Sequence, residues 1–121
     1  MQKILIVEDE PDLLDAYAMV LNADGYNVTT AGDGEEALRH CENTEYDLIL
    51  LDLRMPRVSG LDFLNKFKTT RNHPNVKIIV FSNLDSDKEI DEAYRLGADK
   101  YVLKAWASPR ELSKLVAESL R

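Results

Sequence analysis

The strongest constraint on the fold is an apolar run that ends at a carboxylate, Leu48-Ile49-Leu50-Leu51-Asp52. An apolar run without polar alternation is typical of a strand that is buried on both faces, as in a parallel sheet. A buried helical turn would fit the same residues, but Pro56 and Gly60 soon follow and favour a short strand and a loop. The pattern therefore predicts that Asp52 ends a central strand, at the edge where open parallel sheets bind ligands.

The rest of the chain alternates short apolar runs with helical patterns. Such alternation predicts an α/β fold, in which a doubly wound parallel sheet carries helices on both faces. We expect one domain over residues 1–121, because this length suffices for a single core. The predicted strands are 3–7, 26–30, 48–52, 76–81 (closing at Ser82) and 100–103.

Local capping signals predict where the five helices begin and end. Ser, Asp and Pro favour helix starts, and Gly favours the position just after a helix. The predicted starts are at Pro11, Asp33, Ser59, Ser86 and Ser108, the predicted stops are at Gly25 and Gly97, and a turn is expected at His73-Pro74-Asn75.

Composition excludes several classes of protein. The net charge of −7 argues against direct nucleic-acid binding, which needs a basic face. Cys41 is the single cysteine, so an internal disulfide and a multi-cysteine metal site are excluded. No apolar run approaches the roughly 20 residues of a membrane span, and no signal-peptide pattern follows Met1. These features predict a cytoplasmic protein with no membrane contact.

Charged and hydroxyl side chains follow four of the five predicted strands: Glu8 and Asp9, Asp52, Ser82, and Lys104. Because parallel strands end at one edge, these groups are expected to converge there. Three carboxylates in one place repel one another unless they are protonated or bound to a cation. Oxygen ligands with room for water suit Mg²⁺.

A carboxylate in such a cluster can attack phosphorus and form an aspartyl phosphate. We assign that role to Asp52, with Ser82 donating a hydrogen bond to a phosphoryl oxygen and Lys104 making a charge-assisted contact to another. Each residue taken singly would more often be structural, for instance a helix cap. Because all of them are predicted at one edge of the sheet, a functional site is favoured over separate structural roles.

The chain also resembles the receiver domain of two-component response regulators, from Lys3 to about Leu120. Each motif alone is weak, but all of them occur in order at these spacings. They are Ile4-Leu5-Ile6-Val7-Glu8-Asp9-Glu10, Leu50-Leu51-Asp52-Leu53-Arg54-Met55-Pro56 with Ser59-Gly60, Phe81-Ser82, Ala93 with Leu96-Gly97-Ala98, and Tyr101-Val102-Leu103-Lys104.

The resemblance implies a flavodoxin-like sheet of order 2-1-3-4-5 and a histidine kinase that phosphorylates Asp52. It implies that Mg²⁺ is held by Glu8, Asp9, Asp52 and the main-chain carbonyl of Arg54, with Glu8 acting through water. Ser82 and Tyr101 resemble the family's switch pair, which reshapes the face of the fourth helix, fifth strand and fifth helix to control a partner.

Two positions depart from the family pattern. Lys104 is followed by Ala105, where the family usually has Pro after a cis bond. A cis bond before a non-Pro residue costs about 2.5–4 kcal/mol, so a trans bond and another loop path are expected, with Lys104 less firmly held. Asn83 stands where the family usually has Ala or Gly, and is expected to slow phosphoryl exchange. Arg54 overhangs the site and is expected to tune the lifetime of the phosphoryl group.

Three other functions are compatible with an α/β sheet of this kind: a receiver that works without phosphate, an aspartyl-phosphate hydrolase and a flavin-binding protein. A degenerate receiver would bind partners without phosphate, but the five retained edge residues argue against it. An aspartyl-phosphate hydrolase would carry a second Asp two residues after its nucleophile, where this chain has Arg54. A flavin site would want a Ser-, Thr- and Gly-rich loop after the first strand, where this chain has Glu8-Asp9-Glu10. The sequence identifies neither the kinase nor the output partner, and it leaves homodimerisation open.

Overall fold

In the computed structural model, which describes residues 1–55, 57–70, 75–83 and 87–121, five strands alternate with five helices. The predicted cap at Ser86 lies outside these residues, and so do His73 and Pro74 of the predicted turn His73-Pro74-Asn75. The strands are β1 (Lys3–Val7), β2 (Asn27–Ala31), β3 (Leu48–Asp52), β4 (Lys77–Ser82) and β5 (Lys100–Leu103). The helices are α1 (Pro11–Ala23), α2 (Gly34–Asn43), α3 (Gly60–Thr70), α4 (Asp87–Arg95) and α5 (Pro109–Ser119), and a 3-10 turn spans Lys104–Trp106.

All five strands are parallel and lie in the order β2-β1-β3-β4-β5. The predicted fold class and strand order are therefore confirmed. The register pairs Val7 with Leu51, Asp52 with Phe81, and Ser82 with Leu103. The carboxyl ends of β1, β3, β4 and β5 thus lie side by side at one edge of the sheet, with β3 in the middle.

Alternate strand residues pack on opposite faces of the sheet, as the pleat requires. On the α1/α5 face, strand residues pack against Tyr17 and Leu21 of α1 and Leu112 and Val116 of α5. On the α2–α4 face, they pack against residues of α2, α3 and α4. The strand residues of the first face are Ile4, Ile6, Leu48, Leu50, Ile79 and Phe81, and those of the second are Leu5, Val7, Ile49, Leu51, Ile78 and Val80.

The helix ends follow the predicted caps. Asp33 accepts a hydrogen bond from the Glu36 N–H at 2.9 Å, and Ser108 accepts one from the Glu111 N–H at 3.2 Å. Gly25 and Gly97 follow α1 and α4 with φ of 97° and 113°, a conformation that glycine adopts without strain. No helix in the described part of the chain is long and apolar enough to cross a bilayer.

Two strands begin and end one residue later than predicted. The Tyr26 N–H donates to the Leu21 carbonyl at 3.2 Å and so completes the cap of α1, which delays the start of β2 to Asn27. Ser82 pairs with Leu103 and extends β4.

Helical spacing predicts Leu61, Leu64 and Phe67 on the inner face of α3, and all three pack against the core, where Phe63 is also buried. Spacing also predicts Tyr94 on the apolar face of α4 with Ile90 and Ala93, but Tyr94 is 46% exposed.

Gly60 is where α3 meets the end of β3 directly. Its N–H donates to the Leu53 carbonyl at 3.0 Å. A Cβ at this position would lie 2.5 Å from both the Asp52 carbonyl oxygen and the Leu53 Cα. Since both neighbours are backbone atoms, they cannot move aside as the tip of a side chain would. The close approach therefore fixes the start of α3 against the residue that ends the central strand.

We expect Gly60→Ala to lower the free energy of unfolding by about 1–3 kcal/mol, because overpacking against backbone forces a shift of β3 or α3. Gly32→Ala is the matched control. A Cβ on Gly32 would meet only the Glu36 Oε2 at 3.8 Å, an ordinary contact. Urea denaturation of the two variants beside the wild type measures both effects. Equal stabilities of the two variants would contradict the tight packing at Gly60.

Candidate functional site

Asp52 occupies the centre of the carboxyl edge and is 3% exposed. It ends β3, a strand whose five residues are all buried. Its Oδ1 accepts a hydrogen bond from the Arg54 N–H at 3.1 Å, which orients the carboxylate from its own backbone. By the alternation of β3, its side chain follows Leu48 and Leu50 toward the α1/α5 face.

Lys104 links Asp52 at the end of β3 to Glu8, which follows β1. Its Nζ lies 3.0 Å from both carboxylate oxygens of Glu8 and 3.1 Å from Asp52 Oδ2. The Lys104 side chain is 15% exposed, and its ammonium stands 5.9 Å from the centre of the Phe81 ring. Such a ring attracts a cation through its quadrupole. One partly buried cation thus joins two carboxylates that would otherwise repel each other.

The Ala105 position changes the backbone after Lys104 but does not release the side chain. No peptide bond among the described residues is cis, so Lys104–Ala105 is trans as predicted. The chain instead enters the 3-10 turn. The expected loosening of Lys104 is not seen, because its ammonium contacts both Glu8 and Asp52.

Glu8 is fully buried, and its environment disfavours the charged form. Desolvation by burial, followed by the charge of Asp52, raises the pKa of Glu8 to about 7, although the hydrogen bond from Lys104 opposes the shift. The pKa of Lys104 is also raised, although burial acts on it in the opposite direction. Burial works to lower it, but the hydrogen bond to Glu8 and the charge of Asp52 prevail and raise it above its usual value.

Asp9 completes an acidic group with Glu8 and Asp52, whose carboxylate oxygens lie within 4.8 Å of one another. Asp9 is exposed, whereas the other two are buried, so the group is open to water on one side only. Glu8 Oε2 is buried and accepts no hydrogen bond from the described residues, beyond its ionic contact with Lys104. Three carboxylates with one ammonium remain net negative, and this donor set fits a hard divalent cation that keeps part of its water.

Ser82 and Tyr101 lie toward the other face of the sheet. Ser82 ends β4, is 1% exposed, and follows the alternation of Ile78 and Val80 toward the α2–α4 face. Tyr101 packs partly buried against the core of that face. Its backbone N–H donates to the Tyr94 hydroxyl at 3.0 Å, so α4 is tied to the edge strand β5. The helical spacing of Tyr94 gave no sign of this contact.

Arg54 and Asn83 are exposed beside the buried group. The Arg54 guanidinium lies 4.0 Å from the carboxylate of Glu89 near the start of α4. An ion pair this exposed contributes little to stability. It does place the guanidinium between the end of β3 and α4.

The loop after Asp52 is held by contacts that the sequence did not reveal. Arg57 forms an ion pair with Asp33, the buried N-cap of α2, and this contact lowers the pKa of the Asp33 carboxyl. The Gly34 N–H donates to the Val58 carbonyl at 3.2 Å. Arg57 has a φ of 62°, which is uncommon for a residue with a side chain. Capping signals identified Asp33, but no spacing rule connects it to Arg57.

Comparison with known proteins gives a consistent picture. The family model "Response regulator receiver domain" matches residues 4–117. Sensory transduction protein RegX3 of Mycolicibacterium smegmatis is 39% identical over 121 residues, which are all of this chain and 51% of that protein. The alkaline phosphatase synthesis transcriptional regulatory protein PhoP of Bacillus subtilis is 34% identical over 120 residues, 99% of this chain and 49% of that protein. The chain thus spans about half the length of these relatives.

Solved structures share the same architecture. A CheY-like response regulator receiver domain protein from Methanospirillum hungatei superposes with a TM-score of 0.91 at 32% identity, over 99% of this chain and 94% of that one. Response regulator TrrA from Thermotoga maritima, solved in complex with Mg²⁺ and BeF, gives a TM-score of 0.83 at 32% identity, over 99% of this chain and all of that one.

The raised pKa of Glu8 predicts the pH dependence of stability without metal. Between pH 4.5 and about 7 the folded state keeps a proton that the unfolded state releases. The free energy of unfolding therefore falls as the pH rises through this window, and the loss persists above pH 7. We expect Glu8→Gln to flatten this dependence and to be more stable than the wild type at pH 8 by roughly 1–3 kcal/mol, with little difference near pH 4.

Urea denaturation at both pH values, in the presence of a chelator, measures this effect. Glu118→Gln, an exposed position on α5, is the matched control and should behave like the wild type. A difference between Glu8→Gln and the wild type that is the same at pH 4 and pH 8 would show that Glu8 does not titrate in this window.

Proposed function

Since the chain belongs to the response regulator receiver domain family, we propose that it is a signalling switch that accepts a phosphoryl group on Asp52 from a histidine kinase. The observation that carries the proposal is the position of Asp52, buried at the centre of the edge with Lys104 at 3.1 Å and two further carboxylates beside it. A structural Asp at the end of a strand needs neither the buried ammonium nor the acidic neighbours.

Mg²⁺ is the cofactor that this donor set fits. Glu8, Asp9 and Asp52 provide carboxylate oxygens, and the main-chain carbonyl of Arg54 is the fourth protein group proposed to hold the ion. Full burial of Glu8 against exposure of Asp9 favours Asp9 as the direct ligand, with Glu8 acting through water. When bound, Mg²⁺ neutralises negative charge on the phosphoryl oxygens. The solved complex of the relative TrrA with Mg²⁺ and BeF supports this assignment.

The proposed reaction is an in-line phosphoryl transfer. An Asp52 carboxylate oxygen attacks the phosphorus of a phosphohistidine, the P–N bond breaks as the new P–O bond forms, and the imidazole leaves with a proton from solvent. Lys104 contacts one phosphoryl oxygen and the Ser82 hydroxyl donates to another. Hydrolysis then returns the carboxylate, when water attacks phosphorus and inorganic phosphate leaves. The chain has no enzymatic activity in this proposal beyond its own phosphorylation and dephosphorylation.

The readout is assigned to Ser82 and Tyr101. Movement of the Ser82 hydroxyl toward the phosphoryl group opens space on the α2–α4 face, and the Tyr101 ring turns inward to fill it. The Tyr94 hydroxyl, which accepts from the Tyr101 N–H, ties this change to α4. The result is a population shift between two arrangements of α4, β5 and α5, biased by one added charge.

The partners follow from this scheme: a histidine kinase as donor and an output protein or further domain that reads the α4, β5 and α5 surface. Relatives are named as transcriptional regulators, and one, MtrA of Mycolicibacterium smegmatis, as a DNA-binding response regulator. The chain matches about half of each. Its net charge of −7 favours an output through protein contacts over direct DNA contact by this domain.

Phosphorylation is tested by intact mass after incubation with Mg²⁺ and acetyl phosphate. We expect the wild type to gain the mass of one phosphoryl group and Asp52→Asn to gain none, because an amide oxygen is a poor nucleophile toward phosphorus. Removal of Mg²⁺ by a chelator should abolish the gain. Label on Asp52→Asn would place the acceptor elsewhere. An unlabelled wild type that also fails with a panel of histidine kinases would identify a receiver that works without phosphate.

Asn83 is proposed to slow exchange by crowding the exposed side of Asp52. We expect Asn83→Ala to speed both acetyl phosphate uptake and hydrolysis by a factor of roughly 3–10, equivalent to about 0.7–1.4 kcal/mol in barrier height. Asn27→Ala, an exposed asparagine at the opposite edge of the sheet, is the matched control. Uptake and hydrolysis rates in Asn83→Ala equal to those of the control would remove Asn83 from the scheme.

A further inference from the structure

The 3-10 turn that begins at Lys104 has little of its own to hold it in place. It spans three residues and is closed by one hydrogen bond, from the Ala107 N–H to the Lys104 carbonyl at 3.1 Å. Ala105 is exposed and Trp106 is 76% exposed, so neither anchors the turn in the core. Ala107 alone is buried. The backbone of Lys104 is held on one side by β5, where Leu103 pairs with Ser82, and on the other side its position depends on what holds Ala107.

Tyr17 of α1 makes that contact. Its hydroxyl donates a hydrogen bond to the Ala107 carbonyl at 2.8 Å, between residues 90 positions apart in the chain. Tyr17 is 1% exposed, and its ring stands edge-on to Phe81, with centroids 5.4 Å apart and planes at 86°. The same Phe81 ring lies below the Lys104 ammonium. Tyr17 thus contacts the turn and the ring beside the ammonium at once.

The hydroxyl is more than apolar packing requires. Tyr17 sits in the buried stripe of α1, where an aromatic ring without a polar atom would fill the same space. A buried hydroxyl is costly unless it is hydrogen-bonded, and here its partner is a backbone carbonyl that would itself be buried and unsatisfied. Burial, followed by the charge of Glu8, raises the pKa of Tyr17 to about 12, so the group keeps its proton and remains a donor at neutral pH.

We propose that Tyr17 is a positioning residue for phosphoryl transfer: its hydroxyl fixes the Ala107 carbonyl, and through the 3-10 turn it holds the Lys104 ammonium against Asp52. This inference rests on the proposed function. A lysine side chain is long and flexible, so an ammonium works as a fixed charge only if its backbone is held. Charge placed in advance where phosphoryl oxygens will lie is the largest contribution that a protein makes to such a reaction, and small displacements of it are costly.

Tyr17→Phe isolates the hydroxyl, because the ring and its contact with Phe81 remain. We expect the rate of acetyl phosphate labelling at saturating Mg²⁺ to fall about tenfold, while the Kd for Mg²⁺ alone stays within about twofold of the wild type. The split is expected because the ends of β1 and β3 set the positions of the carboxylates that bind Mg²⁺, whereas the turn sets only the ammonium that contacts two of them. A merely structural role for the hydroxyl would leave both quantities unchanged or weaken both.

Val116→Ala is the matched control. Val116 lies fully buried on α5 in the same core as Tyr17, and its truncation destabilises the domain while leaving in place the hydrogen bonds from Tyr17 to Ala107 and from Ala107 to Lys104. We expect its labelling rate to stay within about twofold of the wild type. A labelling rate that falls equally in Val116→Ala and Tyr17→Phe would show that general destabilisation, and not the turn, controls the reaction.

Hydrogen exchange tests the same contact without a phosphoryl donor. The Ala107 amide, which is bonded to the Lys104 carbonyl, should lose protection in Tyr17→Phe and keep it in Val116→Ala. Wild-type protection at Ala107, or a wild-type labelling rate, in Tyr17→Phe would overturn the role of Tyr17. A wild type that takes no label from acetyl phosphate or from any kinase would instead overturn the proposed function itself.

Discussion

The ammonium of Lys104, held between Glu8 and Asp52, is the interaction on which the carboxyl edge of the sheet depends. Two buried carboxylates in contact repel each other and lose hydration, and together these costs would displace one of them or keep it protonated. A single cation with three contacts of 3.0–3.1 Å offsets part of that cost, although the pKa of Glu8 stays raised, and the edge remains negative once Asp9 is counted. This net negative charge attracts a divalent cation.

The pleat of the sheet divides the edge between two cores. Glu8, Asp52 and Lys104 meet on the side of α1 and α5, where Tyr17 and Phe81 line the wall. Ser82 and Tyr101 lie toward the α2–α4 face. In the proposed function, a charge added to Asp52 would act on the Ser82 hydroxyl one strand away, which lies on the opposite face of the sheet. The proposed chemistry and the proposed switch are thus close in space, while each packs against different helices.

Sequence patterns predicted the strands and the edge residues, because an apolar run such as Leu48–Leu51 favours a buried strand and parallel strands end together, whereas the strand order was implied only by the family resemblance. The patterns failed where a contact joins distant segments. Helical spacing predicts Tyr17 in the apolar stripe of α1, but neither its spacing nor that of Ala107 indicates a hydrogen bond between them. Arg57 and Asp33 come together only in the folded chain, because the loop after β3 lies against the start of α2. Tyr94 follows the period of a buried face, yet β5 is an edge strand and leaves its ring half in solvent.

The turn that carries Lys104 also carries Trp106, the one tryptophan in the chain. Trp106 is 76% exposed and follows Lys104 by two positions in the chain. Indole emission shifts in wavelength and intensity with solvent contact and with nearby charge. The protein therefore contains a fluorophore at the rim of its acidic group, excitable apart from its five tyrosines. Binding of a cation or rearrangement of the turn can be followed optically in the unlabelled molecule, on the millisecond scale of a stopped-flow instrument.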